Sequence, residues 1–147
     1  MPKRRALEDA VPGEELPSIE FTVTPQRVQL YAEGVEDFHP WYMYEMEDSP
    51  YKGPIAHPTM CHVLKLLFWE KYFPARLTAG RMHTKYDAEY FDPARVDEKL
   101  TIKGQVLDKY SKRGRHYLDT EFKITGEDGR LIAKYKDTTL LAYKKEE

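Results

Sequence analysis

The sequence has a single cysteine, Cys61, which excludes an internal disulfide and fits a reducing compartment. It has no excess of one charge. Its 23 Lys and Arg against 25 Asp and Glu leave a net charge of −2, so it lacks the one-signed field that nucleic acids and acidic membranes select. No run is long and apolar enough to cross a bilayer. The basic start Lys3, Arg4, Arg5 leads into Glu8 and Asp9 rather than an apolar stretch, so it does not read as a signal peptide. His57, His62 and His83 lack the spacing of a metal site. The expectation is a cytoplasmic protein with no metal, no nucleic acid and no membrane among its partners, working on small molecules or through protein contacts.

With 147 residues, 41% of them hydrophobic, the chain can bury one ordinary core. Residues 1–18 hold Pro2, Pro12, Gly13 and Pro17 among mixed charges and read as a flexible N-terminal arm with no packed role, dispensable to a single domain over 19–147. Glu20 to Val23 reads as a short extended segment. Thr24-Pro25 supplies a cap and a first-turn proline for a helix running to about Val35, with Val28, Tyr31, Ala32 and Val35 on one face. His39-Pro40 ends anything helical before it. Thr59 to Phe73 is apolar nearly all round and stops at Pro74, the pattern of a helix buried on every face. The period then changes to two. Met82 to Tyr90, Leu100 to Val106 with Gly104 as a candidate bulge, Leu118 to Ile124, and a run from Leu131 to about Tyr143 after the Asp128-Gly129 turn read as an antiparallel meander. A curved sheet wrapped around the long helix buries that helix most fully.

Two segments carry chemistry-bearing residues: Asp37-Phe38-His39-Pro40-Trp41-Tyr42 and Pro54-Ile55-Ala56-His57-Pro58-Thr59-Met60. Each also has a plainer reading. Asp37 beside a proline caps turns, His39 is an exposed turn residue, His57 bonds a backbone carbonyl, and Trp41, Tyr42 and Tyr44 are core or interface aromatics. Cys61 and His62 are adjacent and cannot face each other on a helix, so a thiol nucleophile is not expected. Lys109, Lys112, Arg113 and Arg115, with Tyr110, form one basic cluster, read as a solvated hairpin tip or as a contact for a phosphate-bearing carrier.

The element order and the two segments together resemble the MaoC-like hydratase and dehydratase family of the hotdog fold, in the branch similar to the dehydratase domain of fungal fatty acid synthase. The resemblance runs from Glu20 to Tyr143. The family's first motif is Asp, any residue, Asn, Pro, any residue, His; here Asp37 and Pro40 match, His39 stands where Asn is usual and Tyr42 where the catalytic His is usual. The second motif resembles Pro-Ile-Ala-His-Gly, with Pro58 in place of the glycine. Ala-Pro-Pro-Thr at that point, and Tyr at the His position, are common in the synthase-like branch.

The resemblance implies an α+β hotdog domain, an antiparallel sheet around a long central helix. It also implies an enoyl-thioester hydratase or 3-hydroxyacyl-thioester dehydratase of the (3R) type. Its carrier would be CoA or acyl carrier protein, with no further cofactor, and it would work as a homodimer or as a heterodimer with a second hotdog subunit. Asp37, Tyr42 and His39 would be the catalytic candidates. His57, Thr59 and Met60 would bind substrate, with the N–H of Thr59 or Met60 replacing the donor that Pro58 lacks. A phenol is a poor base at neutral pH, so the imidazole would come from His39 or from His57, Tyr42 would act directly, or the chain would be a non-catalytic subunit shaping the acyl site of a complete partner. A hotdog thioesterase would place a carboxylate near the start of the central helix or along it. Here that helix offers His62, Lys65 and, near its far end, Glu70.

Overall fold

Strict apolar alternation in the second half of the chain builds a five-stranded antiparallel sheet, in a computed structural model that describes residues 5–43, 49–74 and 81–141. Its strands are β1 (Glu15–Thr22), β2 (Met82–Tyr90), β3 (Lys99–Lys112), β4 (Arg115–Thr125) and β5 (Leu131–Leu140), in the spatial order β1-β3-β4-β5-β2. Leu100, Ile102 and Val106 of β3, Leu118, Phe122 and Ile124 of β4, and Tyr135 of β5 are all buried. Between β1 and the sheet's later strands come α1 (Pro25–Gly34), α2 (Pro40–Met43), α3 (Met60–Val63) and α4 (Lys65–Tyr72). The Thr24 hydroxyl accepts from the Arg27 N–H at 3.3 Å and Pro25 opens α1, as the cap residues predict.

The sheet packs onto α3 and α4 through aromatic contacts: the Phe122 ring lies 5.3 Å from Phe68, 5.6 Å from Trp69 and 5.1 Å from Tyr135. Gly104 pairs with Phe122 across β3 and β4. A Cβ at Gly104 would meet that ring at 2.9 Å, so this glycine makes room for the core's central aromatic. The register shift in that ladder falls between Val106 and Asp108, beyond the position expected to bulge.

Three further expectations are corrected. The helix expected over Thr59 to Phe73 is two tandem segments that meet at Leu64. It is not buried all round, because one sheet covers one side: Phe68 and Trp69 are buried, while Val63 is 39% and Leu66 36% exposed. The arm is not idle either. Leu7 and Ala10 are buried in the common core, and ion pairs of Arg5 with Glu14 (2.5 Å) and Arg81 with Glu8 (2.6 Å) clamp them there. Two small apolar anchors suffice to fix a polar segment over the end of the core. Third, β2, whose period-two pattern predicts one half-buried face, is exposed along nearly all its length, with only Tyr86 and Ala88 partly covered, and it lies at an edge of the sheet. The run to Tyr143 ends as a strand at Leu140; Tyr143 lies outside the described residues.

Charged and polar residues meet between the helix and the sheet. Lys65 and Asp137 form a buried ion pair, Asp137 also lies 3.3 Å from His83, and the His62 ring sits 5.0 Å from that of His83. Burial first, and the Lys65 charge second, hold the His62 imidazole down to about 4 from an ordinary 6.5. As pH falls through that window the unfolded chain takes up a proton that the folded chain refuses, so stability declines. Urea midpoints measured on either side of the window are expected to fall in the wild type and to fall less in His62→Leu.

Candidate active site

The site begins where α1 ends. The Val35 N–H donates to Tyr31 O at 3.1 Å, Glu36 takes a left-handed turn (φ 56°), and the Asp37 N–H donates back to Ala32 O at 3.0 Å, which fixes the Asp37 backbone against the helix. One carboxylate oxygen, Oδ1, accepts from the His39 N–H at 3.2 Å, so Asp37 does cap a turn. Its other oxygen, Oδ2, lies 3.1 Å from His57 Nε2.

That contact spans 20 residues of sequence and depends on two backbone stitches. The Ile55 N–H donates to Trp41 O at 2.9 Å and the Ala56 N–H to Ala94 O at 2.7 Å, holding the second motif against the first. The His57 tautomer follows from its neighbours. The Thr59 backbone N–H, which can only donate, meets His57 Nδ1 at 3.2 Å. Nδ1 is therefore the acceptor, and Nε2 carries the proton that faces Asp37. The Thr59 hydroxyl, 2.8 Å from Nδ1, donates to it as well and accepts from the Tyr31 hydroxyl at 2.9 Å. The result is a directed chain from Tyr31 through Thr59 and His57 to Asp37.

Tyr42 completes the group. Its ring lies 5.1 Å from His57 and 5.8 Å from His39. Burial, and then the Asp37 charge, raise the phenol above its ordinary value of 10, so it stays protonated and can donate but not serve as a base. Beside it lies a cavity of about 280 Å³ walled by Trp41, Tyr42, Pro58, Cys61, Tyr90 and Ile132. The Asp37 side chain is 43% exposed against 16% for His57, so the carboxylate is open on the side away from the imidazole.

Two expectations about roles are altered by this geometry. His39 touches Asp37 through its backbone N–H, while its Nδ1 accepts from the Trp41 N–H at 3.3 Å and the residue is exposed; the imidazole beside the carboxylate is that of His57. The N–H groups of Thr59 and Met60, expected to hold a thioester oxygen, are both engaged within the chain. Thr59 donates to His57 Nδ1, and Met60, itself buried, donates to His57 O at 3.0 Å. The tight turn from His57 into α3 consumes them. Tyr31 is the member that sequence reading placed only on a helix face. Its position six residues before Asp37, pointing along the same helix end, was the available signal.

The basic cluster is remote. β3 starts beside the Ala94–Arg95 anchor of the second motif and carries Lys112 at its other end, about 40 Å away at the usual rise per residue. Lys109 there holds the arm through the carbonyls of Glu8 and Ala10. Among the described residues no group of three or more His, Cys, Asp or Glu is placed to hold a metal ion.

The sequence model for the FAS1-like, dehydratase domain region family matches residues 10–135. Among solved structures, the C-terminally truncated HadBC (3R-hydroxyacyl-ACP dehydratase) complex from Mycobacterium tuberculosis superposes with a TM-score of 0.78 at 20% identity, over 91% of this chain and 99% of that one. The unliganded R-hydratase PhaJ1 from Pseudomonas aeruginosa gives 0.77 at 14% identity, over 93% and 85%. The MaoC-like dehydratase from Rhodospirillum rubrum gives 0.76 at 15% identity, over 96% and 99%. These likenesses establish the hotdog fold. No curated protein matches the sequence significantly.

Proposed function

We propose that this chain, which belongs to the FAS1-like dehydratase domain region family, adds water across the 2,3 double bond of an enoyl thioester, or removes it from a 3-hydroxyacyl thioester, in the (3R) series. The observation that carries this reading is the 3.1 Å contact between Asp37 and His57, with the imidazole tautomer set by Thr59. An intact carboxylate–imidazole pair stands in this chain although Tyr42 replaces the usual histidine.

In hydration, the Asp37 carboxylate takes a proton from water as the water oxygen bonds to C3, and then delivers that proton to C2, so one water is added in sum. Neutral His57 keeps its Nε2 proton on the carboxylate and steadies its charge. The charge that develops on the thioester oxygen needs a donor. With the Thr59 and Met60 N–H groups engaged, the Tyr42 phenol is the group at hand. Thr59 and Tyr31 act behind His57 as positioning residues. The acyl carrier, CoA or acyl carrier protein, is the substrate's own and no further cofactor is needed for this chemistry.

A second hotdog subunit, identical or different, belongs to the proposal. An open carboxylate works in a water-filled setting, where electrostatic contacts are weak, and β2, an edge strand of the sheet, offers backbone groups for pairing with a second subunit. The HadBC neighbour is itself a complex. A non-catalytic subunit is the competing reading, while thioester hydrolysis is disfavoured because Lys65, not a carboxylate, is buried on the helix. Hydration of crotonyl-CoA by the purified full chain separates them. Turnover is expected, with a loss in kcat of roughly 10²–10³ in Tyr42→Phe if the phenol holds the oxyanion. A folded chain that gives no turnover alone, but is active once a second hotdog subunit is added and remains so with Asp37→Asn, would establish the non-catalytic role. Free thiol without hydration would indicate thioesterase activity.

A further inference from the structure

A second cavity, of about 320 Å³, backs onto the one beside Tyr42. The two share Tyr42 and Tyr51 as walls and differ in what else lines them. The first is walled by Trp41, Ile55, Cys61 and Ile132, whereas the second presents Lys52, Arg95 and Asp97. The Tyr42 phenol therefore stands between an apolar compartment and a charged one. A thioester with an apolar acyl chain on one side of its carbonyl and an anionic carrier on the other needs that division.

Both cations are available. Among the described residues neither Lys52 nor Arg95 takes part in an ion pair. Two of the acids around Arg95 are engaged elsewhere, since Arg130 pairs with Asp92 at 2.5 Å and with Glu98 at 2.6 Å. The third, Asp97, shares the cavity wall, which leaves one net positive charge there and a carboxylate able to accept from amide or hydroxyl groups. The backbone fixes both positions. The Arg95 N–H donates to Glu98 Oε2 at 3.0 Å, and Arg95 bridges to Ile55 beside the bond that brings the second motif to the first. Lys52 takes a left-handed conformation (φ 55°), closed by its N–H to Ser49 O at 3.2 Å and by the Tyr51 N–H to the hydroxyl of buried Ser49 at 3.3 Å. A lysine is uncommon in that conformation, and here the strain falls beside the reaction site. The basic cluster at the far end of β3 has no such place, and its Lys109 is occupied by the arm.

We infer that Lys52 and Arg95 bind the phosphate of the phosphopantetheine arm that CoA and acyl carrier protein have in common, and thereby hold the thioester at Tyr42. The inference rests on the proposed thioester chemistry for the identity of the arm, but its test reads binding and not turnover. Calorimetric titration of the full chain would use butyryl-CoA, butyryl-phosphopantetheine and butyryl-pantetheine, saturated esters that cannot be hydrated. The phosphopantetheine ester should bind about tenfold or more tightly than the pantetheine ester, the worth of hydrogen bonds to a charged group. Lys52→Asn combined with Arg95→Gln should remove most of that ratio. Both positions are exposed and asparagine tolerates the left-handed turn, so circular dichroism should show an unchanged fold. Lys112→Gln with Arg115→Gln, in the remote cluster, should leave the ratio as it was. Tighter binding of butyryl-CoA than of the phosphopantetheine ester supports the site with CoA as the carrier, and equal binding of these two supports it with acyl carrier protein.

Equal affinity with and without the phosphate, no binding of any of the three, or a ratio that survives Lys52→Asn with Arg95→Gln would overturn the inference. An equal loss in the remote variant would do so too, by reducing the effect to net charge. A phosphate preference in a chain that hydrates no enoyl-CoA would refute the proposed reaction and leave this inference standing. Hydration without any phosphate preference would do the reverse.

Discussion

Asp37→Asn is expected to lower kcat/KM for crotonyl-CoA hydration by roughly 10²–10⁴, the usual worth of a positioned acid–base group, while leaving the fold intact. Asparagine keeps the oxygen that caps the turn at the His39 N–H. What it loses is the oxygen facing His57. There it would present an NH₂ group opposed to the Nε2 proton, and a neutral amide cannot take a proton from water. Circular dichroism and an unfolding free energy in urea within about 0.5 kcal/mol of wild type would show that the turn survives. His57→Gln should fall in the same range and add little to Asp37→Asn in the double variant, because residues acting as a unit lose activity together. A tenfold or smaller loss in Asp37→Asn would reduce Asp37 to a turn cap. Thr59→Val supplies a graded check: it deletes the hydroxyl at 2.8 Å from Nδ1 but keeps the backbone donor at 3.2 Å, so its loss should be clearly smaller.

That pairing also marks where the sequence stops being readable. Alternation around Phe122 and Ile124 fixes strands because burial on one face repeats every two residues, and the chain-breaking prolines mark where helices start and stop. The Asp37 and His57 residue types stood out for the same local reason. Their contact did not, because it is imposed by the backbone bonds of Ile55 to Trp41 and Ala56 to Ala94, which no local pattern encodes. The turn into α3 likewise engages the Thr59 and Met60 N–H groups within the chain, which residue types alone do not reveal. Burial of Leu7 and Ala10 was hidden for a different reason: two apolar residues in a charged segment carry no periodic pattern, and only the folded chain shows them in the common core. Lys65 was the reverse case, a charge in an apolar run whose partner, 72 residues away, only the sheet register brings near.

Replacing that partner carries the largest expected effect on stability. Asp137 has no exposed side-chain surface and Lys65 only 7%, so Asp137→Ala removes a carboxylate partner from a buried ammonium. Removing one member of such a pair costs about 3–5 kcal/mol, out of a total that is on the order of 5–15 kcal/mol for a domain. With a urea slope of about 2 kcal/mol/M the midpoint should fall by roughly 2 M at an unchanged slope. His83, 3.3 Å from Asp137, and the Thr139 hydroxyl at 3.4 Å lose an acceptor as well. The decisive comparison is Lys65→Met with Asp137→Leu together. Since apolar residues of similar volume often replace a buried pair without loss or with a gain of about 1–4 kcal/mol, the double variant should recover the wild-type midpoint or exceed it. If it does, the pair is not retained for stability. If instead the double variant is as unstable as Asp137→Ala, the ion pair and its hydrogen bonds are a structural requirement of this sheet.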